Sequence, residues 1–285
     1  MIKNNPLIKP FLKWAGGKRQ LLVEIKKHLP CNISDYTYFE PFLGAGAVFF
    51  ELQPQRAVIN DYNEQLILAY NAIKDNIDEL TALLRIYQNN YNEDSFYKIR
   101  NIDREPEKFN LLSDIEKAAR LVFLNKTCFN GLYRVNSQGH FNVPYGRYKN
   151  PAICDENVLR LISDYFNSCK IEILNCDFED AAAKADKNSF VYFDPPYHSP
   201  DKNNFTSYQA EKFDESEQER LCDVMVKLTN QEVKCLLSNS DTGFIRELYK
   251  NSIFDIISVQ AKRKINSDST KRGNVNEVLI KNWKD

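Results

Sequence analysis

Phe190-Val191-Tyr192-Phe193-Asp194-Pro195-Pro196-Tyr197 is the stretch whose reading decides the fold. Apolar, mostly aromatic residues run without a break into a carboxylate, two prolines and a tyrosine. Such a run predicts a central strand buried on both faces, the usual state of a parallel sheet. Asp194 precedes a proline, which pushes its backbone towards extended geometry. Each proline fixes φ near about −65° and lacks an N–H, so the turn offers carbonyl acceptors on a stiff frame. The result is a rigid rim of acceptors, with one aromatic ring, at the carboxyl end of a strand. Open α/β sheets bind their ligands there.

A rim of this kind matches an exocyclic amine on a nucleobase. The lone pair of that nitrogen is delocalised into the ring, which makes it a poor nucleophile. Asp194 and the Pro195 carbonyl can each accept one of its two hydrogens, drawing the nitrogen towards a tetrahedral shape and freeing the lone pair. Tyr197 can then stack on a base extruded from a duplex. The competing reading is a strand that ends in a rigid turn, with Asp194 solvated and Tyr197 packed. These four residues alone do not separate the two.

Working outward, 285 residues are enough for one large domain or two small ones. Lys+Arg 38 against Asp+Glu 39 leaves the chain near neutral, so a polyanion must be met by local basic patches. The seven cysteines form no C-x-x-C pair, and only His28, His140 and His198 accompany them. That composition argues against a structural zinc cluster and for reduced cysteines in a cytoplasmic protein. No signal-peptide pattern opens the chain, and no apolar run approaches the ~18 residues that span a membrane.

Upstream, Tyr38-Phe39-Glu40-Pro41-Phe42-Leu43-Gly44-Ala45-Gly46 followed by Ala47-Val48-Phe49-Phe50 reads as strand, glycine turn and helix, the first turn of a Rossmann-like sheet. Phe49 stands where a dinucleotide fingerprint needs a small residue, which disfavours a pyrophosphate-bearing cofactor. Asp61 ends the next strand, Ala57–Asn60, where an acid can accept ribose hydroxyls. Glycine turn and strand-end acid together point to an adenosine-type ligand. Gly16-Gly17-Lys18 lacks the phosphate-loop frame. Lys18 can hold a carboxylate there, although a helix cap with a solvated lysine is the reading those residues alone favour. Downstream, Asp177-Phe178 follows the strand 171–176 and can meet an adenine by its amine and its face, or be a plain strand end.

From 63 to 125 apolar residues recur at helical spacing, and Ser113 with Glu116 forms a capping box. The acids on these helices read as solvated faces. From Lys117 through Cys154 there is no Asp or Glu, while Lys117, Arg120, Lys126, Arg134, Arg147 and Lys149 all fall there. Aromatics and amides interleave with them around Asn136-Ser137-Gln138-Gly139, which predicts a β-hairpin. A structural hairpin with stray charges is the alternative, but the missing acids favour nucleic-acid contact, with cations on phosphates and Arg or amide groups at base edges. His198–Ser207 is a candidate lid beside the site. Two closing strands are expected at 253–260 and 276–283. Between them Lys262, Arg263, Lys264, Lys271 and Arg272 make a second basic loop.

Taken in order, PFLKWAGGK, FEPFLGAGAVFF, the strand ending IND, FNGLYRVNSQGHFNVPYGRYKNP, NCDF and DPPY resemble the Dam family of DNA adenine-N6 methyltransferases, of the alpha motif order. The chain looks most like the DpnM branch, whose target is GATC, and the resemblance covers nearly its whole length. It implies an α/β fold: a Rossmann-like methyltransferase sheet with an inserted, mostly helical target-recognition domain. Residues 1–62 and 165–285 would be catalytic, and 63–164 would bind DNA. S-adenosyl-L-methionine would be the cofactor, lined by Trp14, Lys18, Gly44, Gly46, Asp61, Asp177, Phe178 and Asp194. Asp194, Pro195, Pro196 and Tyr197 would be catalytic. Lys13, Asn130, Leu132, Arg134 and Pro144 fall at DNA-reading positions, and Lys126 stands where some relatives carry arginine. Double-stranded DNA is the implied partner of a monomer, with a restriction endonuclease cutting the same site as a second one. Two other classes stay open: a methyltransferase acting on cytosine N4 or RNA, and a DNA-binding module without catalysis.

Overall fold

The structure, a computed structural model, describes residues 4–14, 18, 21–200, 213–262 and 274–284. Among them, strands β1 (Thr37–Glu40), β2 (Arg56–Asn60), β3 (Lys170–Leu174), β4 (Ser189–Phe193), β5 (Lys234–Ser240), β6 (Asp255–Lys262) and β7 (Asn274–Lys281) form one sheet. Their order is β3-β2-β1-β4-β5-β7-β6. All pairings are parallel except those of β7, which runs antiparallel to both β5 and β6. The helices are α1 (Leu22–Lys27), α2 (Ala47–Leu52), α3 (Glu64–Asp75), α4 (Ile77–Asn89), α5 (Glu93–Asn101), α6 (Pro106–Leu111), α7 (Asp114–Thr127), α8 (Glu156–Ser168), α9 (Phe178–Ala182), α10 (Glu215–Asn230) and α11 (Gly243–Leu248).

The expected central strand is β4, buried at every residue and lying between β1 and β5. Successive side chains of a strand face opposite ways. Phe190 and Tyr192 accordingly join one core with Tyr38, Ile59 and Leu236, under α2, α3 and α8. Val191 and Phe193 join a second core with Phe39, Val58 and Leu237, under α9, α10 and α11. Fully burying such a side chain contributes about 1.5–3 kcal/mol, so a one-residue slip would exchange the two faces and lose both cores.

The segment between β2 and β3 carries α3 to α8, and the capping box of Ser113 and Glu116 opens α7 as its sequence predicts. One expectation for these helices is overturned. Asp103, in the short turn after α5, is 9 % exposed instead of solvated. Arg120 is no surface cation either, at 1 % exposed. The two pair at 2.8 Å, because a buried guanidinium needs an anion and acceptors: its Nε and Nη2 also donate to the Ile99 and Arg100 carbonyls at 2.9 and 2.7 Å. Asp103 further accepts the Phe141 N–H at 2.7 Å, and Arg104 donates to the Phe141 carbonyl at 2.9 Å. This cluster clasps the segment 132–145 to the helices.

That segment is a narrower hairpin than its pattern predicts. Val135 and Phe141 form a single antiparallel bridge, not a ladder of strands. Its tip is held by the Asn136 side chain, which accepts the Gln138 and His140 N–H groups, with Gly139 at φ 80°. The alternation survives: Tyr133, Val135, Phe141 and Val143 face the core, while Leu132, Arg134 and Pro144 are exposed.

The closing strands form two residues away from their expected bounds, with ends set by the antiparallel pairing of β6 and β7. Lys262 ends β6 and is not a loop residue. Arg263, Lys264, Lys271 and Arg272 lie outside the described residues, as does the candidate lid beyond Pro200.

Candidate active site

Connections from β1 lead outward through β2 to β3, and those from β4 lead the other way to β5. The crevice above the carboxyl ends of β1 and β4 is therefore the topological switch point. The turn after β1 and the prolines after β4 meet there.

Gly44 and Gly46 both take left-handed conformations, at φ 52° and 68°, where a side chain would be strained. A Cβ on Gly44 would sit 3.0 Å from the Trp14 ring, and one on Gly46 would sit 3.1 Å from the Tyr70 hydroxyl. The Gly44 peptide is gripped from both sides. Asp61 Oδ2 accepts its N–H at 2.8 Å, and the Tyr70 hydroxyl donates to its carbonyl at 3.0 Å. Asp61 Oδ1 accepts the Asn63 N–H at 2.9 Å. Burial pushes the Asp61 carboxyl above its ordinary value, and these two N–H groups oppose the shift. Trp14 stacks on Tyr133 with centroids 4.9 Å apart, joining the glycine turn to the hairpin. Phe49 is fully buried against Tyr38, Tyr165 and Phe166, which leaves no cradle for a pyrophosphate behind the turn.

Lys18 is not a solvated cap residue. Its side chain is 7 % exposed, and its Nζ lies 2.6 Å from Asp194 Oδ1 and 4.4 Å from the Tyr197 ring centroid. Ser238, at the end of β5, donates to the same Oδ1 at 3.1 Å and bonds the Tyr192 hydroxyl at 2.9 Å. Among the described residues the contacts made to this carboxylate by Lys18 and Ser238 both land on Oδ1. The Pro195 carbonyl takes no hydrogen bond from the described residues. Burial raises the Asp194 carboxyl above its ordinary value, against the pull of Lys18. The Pro196 carbonyl is occupied: Gln218 donates to it at 2.9 Å, and Asn239 in turn donates to Gln218 at 2.9 Å. The Tyr197 hydroxyl donates to Glu277 at 2.9 Å.

Asp177 and Phe178 stand at the neighbouring end of β3, engaged with the protein itself. Asp177 caps α9 through the Glu179 N–H and pairs with Arg220 at 2.7 Å. Phe178 stacks on Phe42 at 5.1 Å and carries the Arg220 guanidinium 4.3 Å from its centroid. A ligand ring reaching the face of Phe178 has to displace Arg220.

Sequence reasoning passed over Glu40, Ser238, Glu277 and Arg220. Glu40 had a visible signal, since it ends β1 as Asp61 follows β2. It is 2 % exposed and takes the Tyr38 hydroxyl at 2.7 Å, and burial holds its carboxyl far above the carboxylate range. The polar Ser238-Asn239-Ser240 closing an apolar strand was a second signal. Nothing local marked Glu277 or Arg220.

The DNA-reading candidates gather on another surface. Lys13 is tied by its backbone to Asn125, which is 1 % exposed and bonds both its N–H and its carbonyl, at 2.9 and 2.7 Å. Asn130 is exposed in a left-handed turn beside exposed Phe129. Arg147 and Lys149 are exposed. Lys126 is half-buried, and burial lowers its ammonium pKa, opposed by Asp155 and aided by Lys13 and Lys9. A separate open groove, lined by Thr37, Arg56 and Lys170, opens at the opposite ends of β1, β2 and β3, and no convergent acid–base set lies there.

Residues 14–265 match the family model described as D12 class N6 adenine-specific DNA methyltransferase. The chain is 43 % identical to the Type II methyltransferase M1.LlaDCHI of Lactococcus lactis subsp. cremoris, over 99 % of this chain and 98 % of that protein. It is 42 % identical to the Type II methyltransferase M.MjaIII of Methanocaldococcus jannaschii, over 97 % and 99 %. With the DNA adenine methylase of Escherichia coli K12 the identity is 35 %, over 94 % and 93 %. The sheet, its crevice and these matches agree: the chain belongs to the D12 class N6 adenine-specific DNA methyltransferase family and is an enzyme that methylates adenine in DNA.

Proposed function

We propose that this enzyme methylates the adenine of GATC in duplex DNA, using S-adenosyl-L-methionine and flipping the base into the crevice at the switch point. The observation that carries the reading is the rim fixed by Ser238, Gln218 and Lys18, on which Asp194 Oδ2 and the Pro195 carbonyl take no hydrogen bond from the described residues. When bound, S-adenosyl-L-methionine supplies an electrophilic methyl group. The residues that fit it are Gly44 and Gly46, whose left-handed backbone shapes the turn at the crevice, with Asp61, Trp14 and Lys18 around them. Asp177 and Phe178 complete its pocket once Arg220 moves.

Asp194 and Pro195 hold the two amine hydrogens, which localises the lone pair on N6. Tyr197 stacks on the base. Even with its pKa raised by burial the Asp194 carboxylate is no strong base, and much of the rate comes from holding the amine in line.

Residues 63–164 read the target, and 1–62 with 165–285 carry catalysis. Leu132, Arg134 and Pro144 share the exposed face of the hairpin, while Lys13, Lys126, Asn130, Arg147 and Lys149 surround it. The names of the Type II relatives support a companion restriction endonuclease, and the motifs of this chain resemble those of the DpnM branch. The enzyme acts as a cytoplasmic monomer. Among the described residues no helix is long and apolar enough to cross a membrane.

Arg134 provides the test. Its Nε donates to Asn142 at 2.7 Å, which orients the guanidinium on the exposed face. A bidentate contact to guanine O6 and N7 gives ~1–3 kcal/mol of discrimination. Arg134→Ala is expected to relax specificity at one guanine, whereas Lys149→Ala weakens all sequences alike and makes the salt slope shallower by ~1. The measurement is kcat/KM on single-base variants of GATC, after mapping methylated adenines on a plasmid. Uniform loss with Arg134→Ala would reduce that residue to a phosphate clamp.

A further inference from the structure

The DPPY tyrosine is tethered at both ends, and the second tether comes from a strand with no other part in the chemistry described above. Its backbone follows two prolines. Its hydroxyl donates to Glu277 Oε2 at 2.9 Å. Glu277 is 7 % exposed on β7, paired across to Ser240 of β5 and to Val259 of β6. The carboxylate therefore sits on the sheet's one antiparallel strand, held on both edges, and cannot follow a loop movement. Lys18 lies on one face of the Tyr197 ring and contacts Asp194 with the same ammonium. Two points plus one covered face fix the ring plane.

We propose that Glu277 is a positioning residue for methyl transfer, holding the Tyr197 ring through its hydroxyl at the angle on which the target base stacks. The inference rests on the reading that Tyr197 stacks on the flipped base, and deepens it. The phenol is a good donor for the purpose, because burial and then the Asp194 charge keep it protonated, with a hydrogen bond to Ser238 opposing the shift. Deleting Glu277 removes the tether to β7 from a ring that has to be flat against the base, so the effect falls on the step that uses the ring.

The experiment is a double-mutant cycle on the full chain. Methyl transfer is measured for wild type, Glu277→Ala, Glu277→Gln, Tyr197→Phe and the Tyr197→Phe/Glu277→Ala pair. In parallel, 2-aminopurine at the target position reports stacking through its fluorescence. Glu277→Ala is expected to lower kcat roughly tenfold and brighten the 2-aminopurine complex, with a smaller change in cofactor KM. Glu277→Gln retains an accepting oxygen and recovers most of the loss. In the Tyr197→Phe background, Glu277→Ala adds less than about twofold, because the shared bond is already gone. The same loss in both backgrounds, or a Gln variant as slow as Ala, overturns the inference. Should Glu277→Ala not fold, as a thermal melt shows, Tyr197→Phe removes the same bond from the other end, and unchanged fluorescence there overturns it too. Tyr197→Ala separates the two levels. If it transfers methyl at the wild-type rate, stacking itself fails. If it is slow while Tyr197→Phe matches wild type, stacking stands and only the Glu277 tether fails.

Discussion

Asp194→Ala is expected to lower the methyl-transfer rate by roughly 10²–10³, the usual cost of deleting one preorganised polar group at a reacting centre. The structure sharpens that expectation. Oδ1 is engaged by Lys18 and Ser238, so the proposed contact with the amine falls to Oδ2. Alanine removes the acceptor and leaves the Lys18 ammonium, 7 % exposed, without its anion. A loss of thermal stability accompanies the loss of rate, while cofactor binding persists in part through the glycine turn and Asp61. Asp194→Asn keeps the shape and a weaker acceptor, and falls between. Acid mimics the mutation: burial lifts this carboxyl above its ordinary value, so the accepting form is lost at a higher pH than for an exposed aspartate. Single-turnover transfer to a GATC duplex, with equilibrium cofactor binding measured separately, checks the point. A rate within a few-fold of wild type would falsify the role.

Asp103→Ala is expected to destabilise the fold by about 3–5 kcal/mol, because it strands the Arg120 guanidinium in the core. In a domain of this size that corresponds to a drop on the order of 10 °C in Tm. The local consequence matters more for function. Asp103 accepts the Phe141 N–H, and Arg104 donates to both Asp103 and the Phe141 carbonyl. Without the aspartate the hairpin loses its clasp behind Arg134, so on the proposed reading discrimination among target sequences falls along with stability. Thermal melts and the same substrate panel are the measurements. A stability change under ~1 kcal/mol, or undiminished sequence discrimination, would show that the buried pair does not seat the hairpin.

The catalytic strand, the glycine turn and the strand-end acids were legible because each is written in contiguous residues. An apolar run fixes burial on both faces, a glycine fixes a left-handed turn, and a proline fixes its own φ, all within a few positions. The basic character of 117–154 was legible in the same way. Which of its charges reach solvent was not. Arg134 is exposed and Arg120 buried because hairpin alternation and the Asp103 contact decide it, and Asp103 is 17 residues upstream in an acidic-looking helical region. The Lys18–Asp194 pair spans the chain from a residue before α1 to the residue after β4, and Tyr197 meets Glu277 across 80 positions. Charge pairing in a low-dielectric interior depends on which groups the sheet order brings within a few ångströms, and sequence spacing carries no record of that order. The sequence by itself determined the chemistry at the rim. Only the tertiary structure decided which oxygen of Asp194 meets Lys18 and Ser238, what holds Tyr197, and which arginine reaches solvent.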